Sequence, residues 1–203
     1  MKTSNLPSGY VQYGDLFHDL KDTPEWYWIV MGNLMALVPL GVALGVLWLP
    51  YQFYLALGTP LALLPDPVFP DWLKVVAGTA IIAASMLLHE LLHGAALLIL
   101  GYRARLNYAM GYFYATVAPR QFLTRTHYML TALTPLLTMT LGGGMLLLFL
   151  PPTWGQLLLI ALLLNAAASV GDLAVAARAM RYPANALFTD EAGIKVYVME
   201  RDV

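Results

Sequence analysis

Five consecutive residues of this chain have the types and spacing to hold a metal ion and to move a proton beside it: His89-Glu90-Leu91-Leu92-His93. On a helix, positions i and i+4 lie one turn apart on the same face. Both imidazoles can therefore reach one ion while Glu90 reaches a water next to it. An ion held this way acts as a Lewis acid and brings the pKa of a coordinated water down towards about 7, which suits hydrolysis at neutral pH. The chain has four histidines, and half of them fall in this motif. It has no cysteine, so disulfides and thiolate zinc sites are excluded and any metal must sit on His, Asp or Glu.

The element that must position the motif is a helix. From Val75 to Leu100 the only ionisable residues are His89, Glu90 and His93, and a bilayer-crossing helix needs about 20 mostly apolar residues. Three further runs qualify: 29–49, which continues apolar to Leu57, then 128–150 and 157–177. With 60% hydrophobic and 11% charged residues, against roughly 45–50% and about 25% in soluble domains, the composition predicts an all-α integral membrane protein. It has four transmembrane helices and a single domain over 1–203. The first run exceeds a signal h-region and follows Asp19, Asp22 and Glu25, which makes it a retained anchor. The 11 Lys and Arg nearly cancel the 12 Asp and Glu, for a net charge of -1. That leaves no basic field for a phosphate backbone and excludes nucleic acid as a partner.

Orientation follows from the loops. Arg103, Arg105, Arg120 and Arg125 fall between the second and third spans, whereas the loop from Gly58 to Trp72 carries only Asp66 and Asp71, and the turn Pro151-Pro152-Thr153-Trp154 carries no charge. By the positive-inside rule, both termini and the arginine-bearing loop face the cytoplasm of a multi-pass cell-membrane protein. Within that loop, residues 104–118 are rich in strand formers around Gly111 and predict a β-hairpin. The tail 194–199 has a similar composition, and a small cytoplasmic sheet of hairpin and tail is expected. The proline-rich outer loop, with Pro60, Pro65, Pro67 and Pro70, resists regular structure.

A catalytic zinc commonly takes three protein ligands and keeps one position open. Asp172 is the only other acid inside a span, and an ionised group at that depth is costly unless paired or ligated. Counted from the cytoplasmic ends at Leu100 and Ala177, His93 lies seven residues in and Asp172 five, or roughly 10 Å and 8 Å at the rise of a helix. Asn165, Ser169 and Asp172 follow an i, i+4, i+7 spacing and share a face. Asn165 is a candidate donor to a substrate carbonyl or a developing oxyanion, in competition with plain interhelical hydrogen bonding. His127, at the start of the third span, is a second candidate. Pro135 is positioned to kink the third helix, and Gly142-Gly143-Gly144 to loosen its outer half.

These residues resemble the DUF3267 family of zincin peptidases, small membrane proteins akin to the site-2 intramembrane metalloproteases. The resemblance rests on His89 to Gly94 and on Ser169-Val170-Gly171-Asp172-Leu173. Weaker likeness lies in Leu6-Pro7-Ser8-Gly9-Tyr10, Thr134-Pro135, Asn165 and the stretch from Asp190 to Tyr197. It implies a Zn2+ site of His89, His93 and Asp172, with Glu90 as catalytic acid and base, and a membrane-protein or peptide substrate cut near the cytoplasmic face. In better-known site-2 proteases the ligand Asp precedes a Gly; here Gly171 precedes Asp172, so substrate and regulation do not transfer. A peptidase must hold its substrate extended, and the hairpin offers an edge strand for that. The competing classes are a catalytically silent zinc-binding adaptor, a chaperone-like membrane partner without zinc, and a metal carrier. A carrier would need ligands spread along a path rather than gathered near one side.

Overall fold

Between Trp26 and Ala56 no residue is charged, so a continuous helix satisfies the backbone while leaving only apolar side chains outside. In the computed structural model, which describes residues 6–17, 23–59, 61, 70–109, 112–190 and 193–202, this stretch is α1 (Glu25–Ala56). The second run is α2 (Asp71–Ile99), which carries the histidine motif near its C-terminal end. The third is α3 (Arg125–Leu137), then a π-helical stretch (Thr138–Gly143) and a short α4 (Gly144–Leu147). The fourth opens earlier than the apolar run, with Pro152 in the first turn of α5 (Pro152–Ala168), and is interrupted at Ser169 before α6 (Val170–Ala179). Among the described residues three helices are long and apolar enough to cross a membrane, or four when the bent pair of α5 and α6 counts as one span.

Among the described residues six strands accompany the helices. β1 (Tyr10–Asp15), β4 (Leu123–Thr124), β5 (Leu187–Thr189) and β6 (Lys195–Met199) form an antiparallel sheet in the order β1-β6-β5-β4. β2 (Ala104–Ala109) and β3 (Tyr112–Val117) pair as the expected hairpin, with Leu106 opposite Ala115 and Ala104 opposite Val117. Hairpin and tail do not share a sheet, as the sequence suggested they would. The tail strand β6 instead lies between β1 and β5, pairing Tyr10 with Met199 and Phe188 with Val196. Most of the outer loop, including Pro60, Pro65, Asp66 and Pro67, and the hairpin turn at Met110 and Gly111 lie outside the described residues.

The chain folds as two compact units. One comprises 1–31, 90–134 and 171–203; the other comprises 32–89 and 135–170. In the first, Leu97, Tyr102, Val117, Leu123, Phe188 and Val196 belong to one buried cluster, and Tyr128 stacks on Phe188 with ring centroids 4.9 Å apart. In the second, Ser85 Oγ donates to the Ala161 carbonyl at 3.1 Å and Tyr54 donates to that of Leu147 at 2.6 Å. Any Cβ on Gly143 would collide with the Leu162 side chain, so this glycine lets the π-helical stretch pack directly on α5.

Candidate metal centre

The helical spacing of the motif has the expected local result. His89, Glu90 and His93 offer ligand atoms that all lie within 4.8 Å of one another, and both rings are buried. What orients each ring comes from elsewhere in the chain. Pro135 has no N–H, so it leaves the carbonyl of Thr131, four residues earlier in α3, without its helical donor. His93 Nδ1 takes that place, donating to Thr131 O at 2.8 Å. A carbonyl only accepts, so Nδ1 carries a proton, and in a neutral ring Nε2 then presents a lone pair.

His93 Nε2 faces Asp172 Oδ1 at 3.3 Å. A lone pair and a carboxylate oxygen repel at that distance unless a proton or a cation stands between them. Ligand atoms on a tetrahedral zinc, with bonds of about 2.0–2.2 Å, are about 3.4 Å apart, so the observed spacing and donor set fit that ion. Asp172 sits in the first turn of α6, where the helix dipole favours a carboxylate. The break at Ser169 creates this helix start: the Ser169 hydroxyl donates to Asn165 O at 2.8 Å and closes α5.

Asn165 is 1% exposed and both ends of its amide are engaged. Nδ2 donates to the Pro135 carbonyl at 3.4 Å, which settles the amide's orientation, and Oδ1 accepts from His89 Nδ1 at 2.8 Å. With Nδ1 engaged in this way, Nε2 is the His89 nitrogen that could hold a metal. Asn165 thus touches a ring of the motif. His127 is placed elsewhere, bonded through Nδ1 to the Tyr102 hydroxyl at 2.9 Å.

A cavity of 510 Å³ opens on the motif, and Glu90, His93, Tyr128, Thr131, Asp172 and Asp190 are in its wall. Glu90 Oε2 accepts from the backbone N–H of Ala115 at 2.8 Å. Asp190 was not singled out by spacing or depth. Its Oδ1 accepts from the Tyr128 hydroxyl at 3.0 Å and its Oδ2 from the Val117 N–H at 3.3 Å. Burial pushes the Asp190 carboxyl above the usual range, and those two donors and the nearby His93 pull it part of the way back. The signal available in the sequence was an acid closing Leu187-Phe188-Thr189, a strand buried at every position.

A helical protein with two oriented imidazoles, a carboxylate in tetrahedral reach of one of them and a glutamate between has the site of a metal-dependent hydrolase. The family described as "Putative zincin peptidase", DUF3267, matches residues 82–187, more than half of the chain, and the chain belongs to that family. No curated protein and no solved structure matches it.

Proposed function

We propose that this protein is a membrane-embedded zinc metallopeptidase of the site-2-protease-like type, cutting membrane or juxtamembrane substrates near the cytoplasmic face. The observation that carries the reading is the 3.3 Å approach of His93 Nε2 to Asp172 Oδ1 while Nδ1 is committed to Thr131. That spacing supports a cation shared by the two side chains. His89, His93 and Asp172 would hold the zinc, which would supply a water of lowered pKa and Lewis acidity. Glu90 takes the proton from the attacking water and returns it to the leaving amine. Asn165 acts through His89, as a positioning residue. Thr131, through its carbonyl, does the same for His93.

Lipid as the surroundings is supported by the exposed apolar faces of the long helices, which include Leu34, Leu37, Val38 and Leu49 on α1 and Leu87, Leu88 and Leu91 on α2. The arginine distribution supports cytoplasmic termini.

The test is terminal-peptide proteomics of membranes carrying wild type or Glu90→Gln, paired with metal analysis of the purified proteins. Near-stoichiometric zinc is expected in both, with cleavage about 10²- to 10⁴-fold slower in the variant and new termini in wild type alone. Identical termini in the two membranes would leave a silent zinc-binding adaptor as the better description. Zinc retained after His93→Ala would remove the metal site itself.

A further inference from the structure

The 510 Å³ cavity that opens on the motif carries more negative charge than hydrolysis uses. Glu90, Asp172 and Asp190 are in its wall, and no lysine or arginine is among the described residues there. With Asp172 read as a metal ligand and Glu90 as the base, Asp190 has no part in the reaction. Its oxygens accept from two neutral donors, the Tyr128 hydroxyl and the Val117 N–H, and a carboxylate has about four acceptor sites. Neutral donors orient such a group but leave its charge in place, and a charge inside a cavity is costly until an opposite one meets it. All these residues belong to the first of the two units.

Two features give the missing charge a place and a shape. Glu90 accepts from the Ala115 N–H and Asp190 from that of Val117. Groups two residues apart on a strand point the same way and stand about 6.7 Å apart, so Asp190 is held about that far along the cavity from the base. A lysine or arginine stem spans a gap of that order. The wall also includes Leu97, Leu123, Val175 and Ile194, aliphatic surface on which such a stem lies well and a small hydrated cation does not.

We propose that Asp190 sets the specificity of the cavity by receiving a cationic group of the substrate, an ammonium or guanidinium carried next to the bond that is cut. This rests on the peptidase reading above and adds to it the chemical class of the substrate. The cation meets the remaining lone pairs of the carboxylate in a charge-assisted hydrogen bond, and the negative wall draws it in. Tyr128, stacked on Phe188 and donating to Asp190 Oδ1, is the positioning residue that aims the carboxylate. Such a cation is found on a lysine or arginine side chain and at the amino terminus of a chain. The length of the gap and the aliphatic wall fit the side chain.

The experiment uses the full chain in detergent micelles, loaded with zinc, and the hydroxamates of Nα-acetyl-lysine, Nα-acetyl-norleucine and norleucine with a free α-amine. All three bind metal; the first is charged on its side chain, the second is neutral and the third is charged at its amino terminus. Wild type is expected to bind acetyl-lysine hydroxamate about tenfold tighter than the acetyl-norleucine probe, the effect of one charge-assisted hydrogen bond. Asp190→Asn, with zinc still bound, is expected to bring that ratio to about one. A preference for the free-amine probe that the same variant abolishes also supports the proposal and identifies the amino terminus as the source. A wild type that prefers neither charged probe overturns the proposal whatever the variant does, and so does a preference that survives in Asp190→Asn; both spare the peptidase reading. Should wild type hold no zinc and bind none of the hydroxamates, the peptidase reading is the one that fails. A probe that needs no metal then judges Asp190 on its own: n-butylammonium is expected to raise the Tm of wild type more than n-butanol does and to lose that advantage in Asp190→Asn. An advantage absent from wild type, or kept by the variant, overturns the proposal.

Discussion

An imidazole has two nitrogens, and whatever binds one decides what the other can do. At His89 the decision falls to Asn165, whose amide is fixed in turn by the Pro135 carbonyl. Asn165→Ala is expected to weaken zinc binding about 10- to 100-fold, read by competition with a chromophoric chelator, with little change in helix content. An oxyanion donor acting on substrate alone would give the other pattern, normal zinc affinity with slower turnover. Asp190 permits a prediction of sign. Its carboxyl titrates above the ordinary value in the folded protein, so the folded state holds the proton more firmly than the unfolded one. The stabilisation this gives is fully present below the ordinary carboxylate pKa and is lost as pH rises through the raised one. Asp190→Asn, which stays neutral, is expected to have a higher Tm than wild type at neutral pH, with the difference shrinking towards about pH 4.

Among the elements, α3 shows how a defect becomes a part. Pro135 costs an interior helix about 3 kcal/mol, and here it releases the carbonyl that His93 uses. Pro135→Ala would restore an N–H to compete for Thr131 O. It is expected to raise Tm while lowering zinc affinity, two effects of opposite benefit that one thermal melt and one zinc titration check. How much of this was legible follows from how far each relation reaches along the chain. The His89–His93 pairing is one helical turn, and the matching depth of Asp172 is a count from helix ends, so both could be read from residue order. The hairpin was legible because its partners are neighbours in sequence. The partner of β6 was not, because a five-residue strand does not name its mate, and β1 lies at the far end of the chain. Pro135 announces a vacant carbonyl at Thr131, but which donor fills it depends on tertiary packing. Asp190 was hidden for the same reason: its role comes from Val117 and Tyr128, which only folding brings to it.

For the molecule as a whole, two of the arginines tie distant parts of the chain together. Arg125 donates to the Tyr182 carbonyl at 2.6 Å, and Arg178 donates to that of Leu16 at 3.1 Å while lying 4.9 Å from the Phe17 ring. Residues from the first 31, the middle and the last 33 positions are thus joined in one unit. A reporter fused after Val203 is expected to be cytoplasmic, and one inserted in the 58–72 loop to be extracytoplasmic; the reverse pattern inverts the topology. The sheet has a further consequence for folding. Among the described residues β6 is the only strand that bonds β1, and it lies about 185 residues further along the chain. Until that pairing forms, the cluster that holds Leu97 and Tyr128 with Phe188, Val196 and Val198 is incomplete. Closing this sheet joins residues separated by most of the chain, and contacts of such long sequence separation carry the largest loop-closure cost and form slowly.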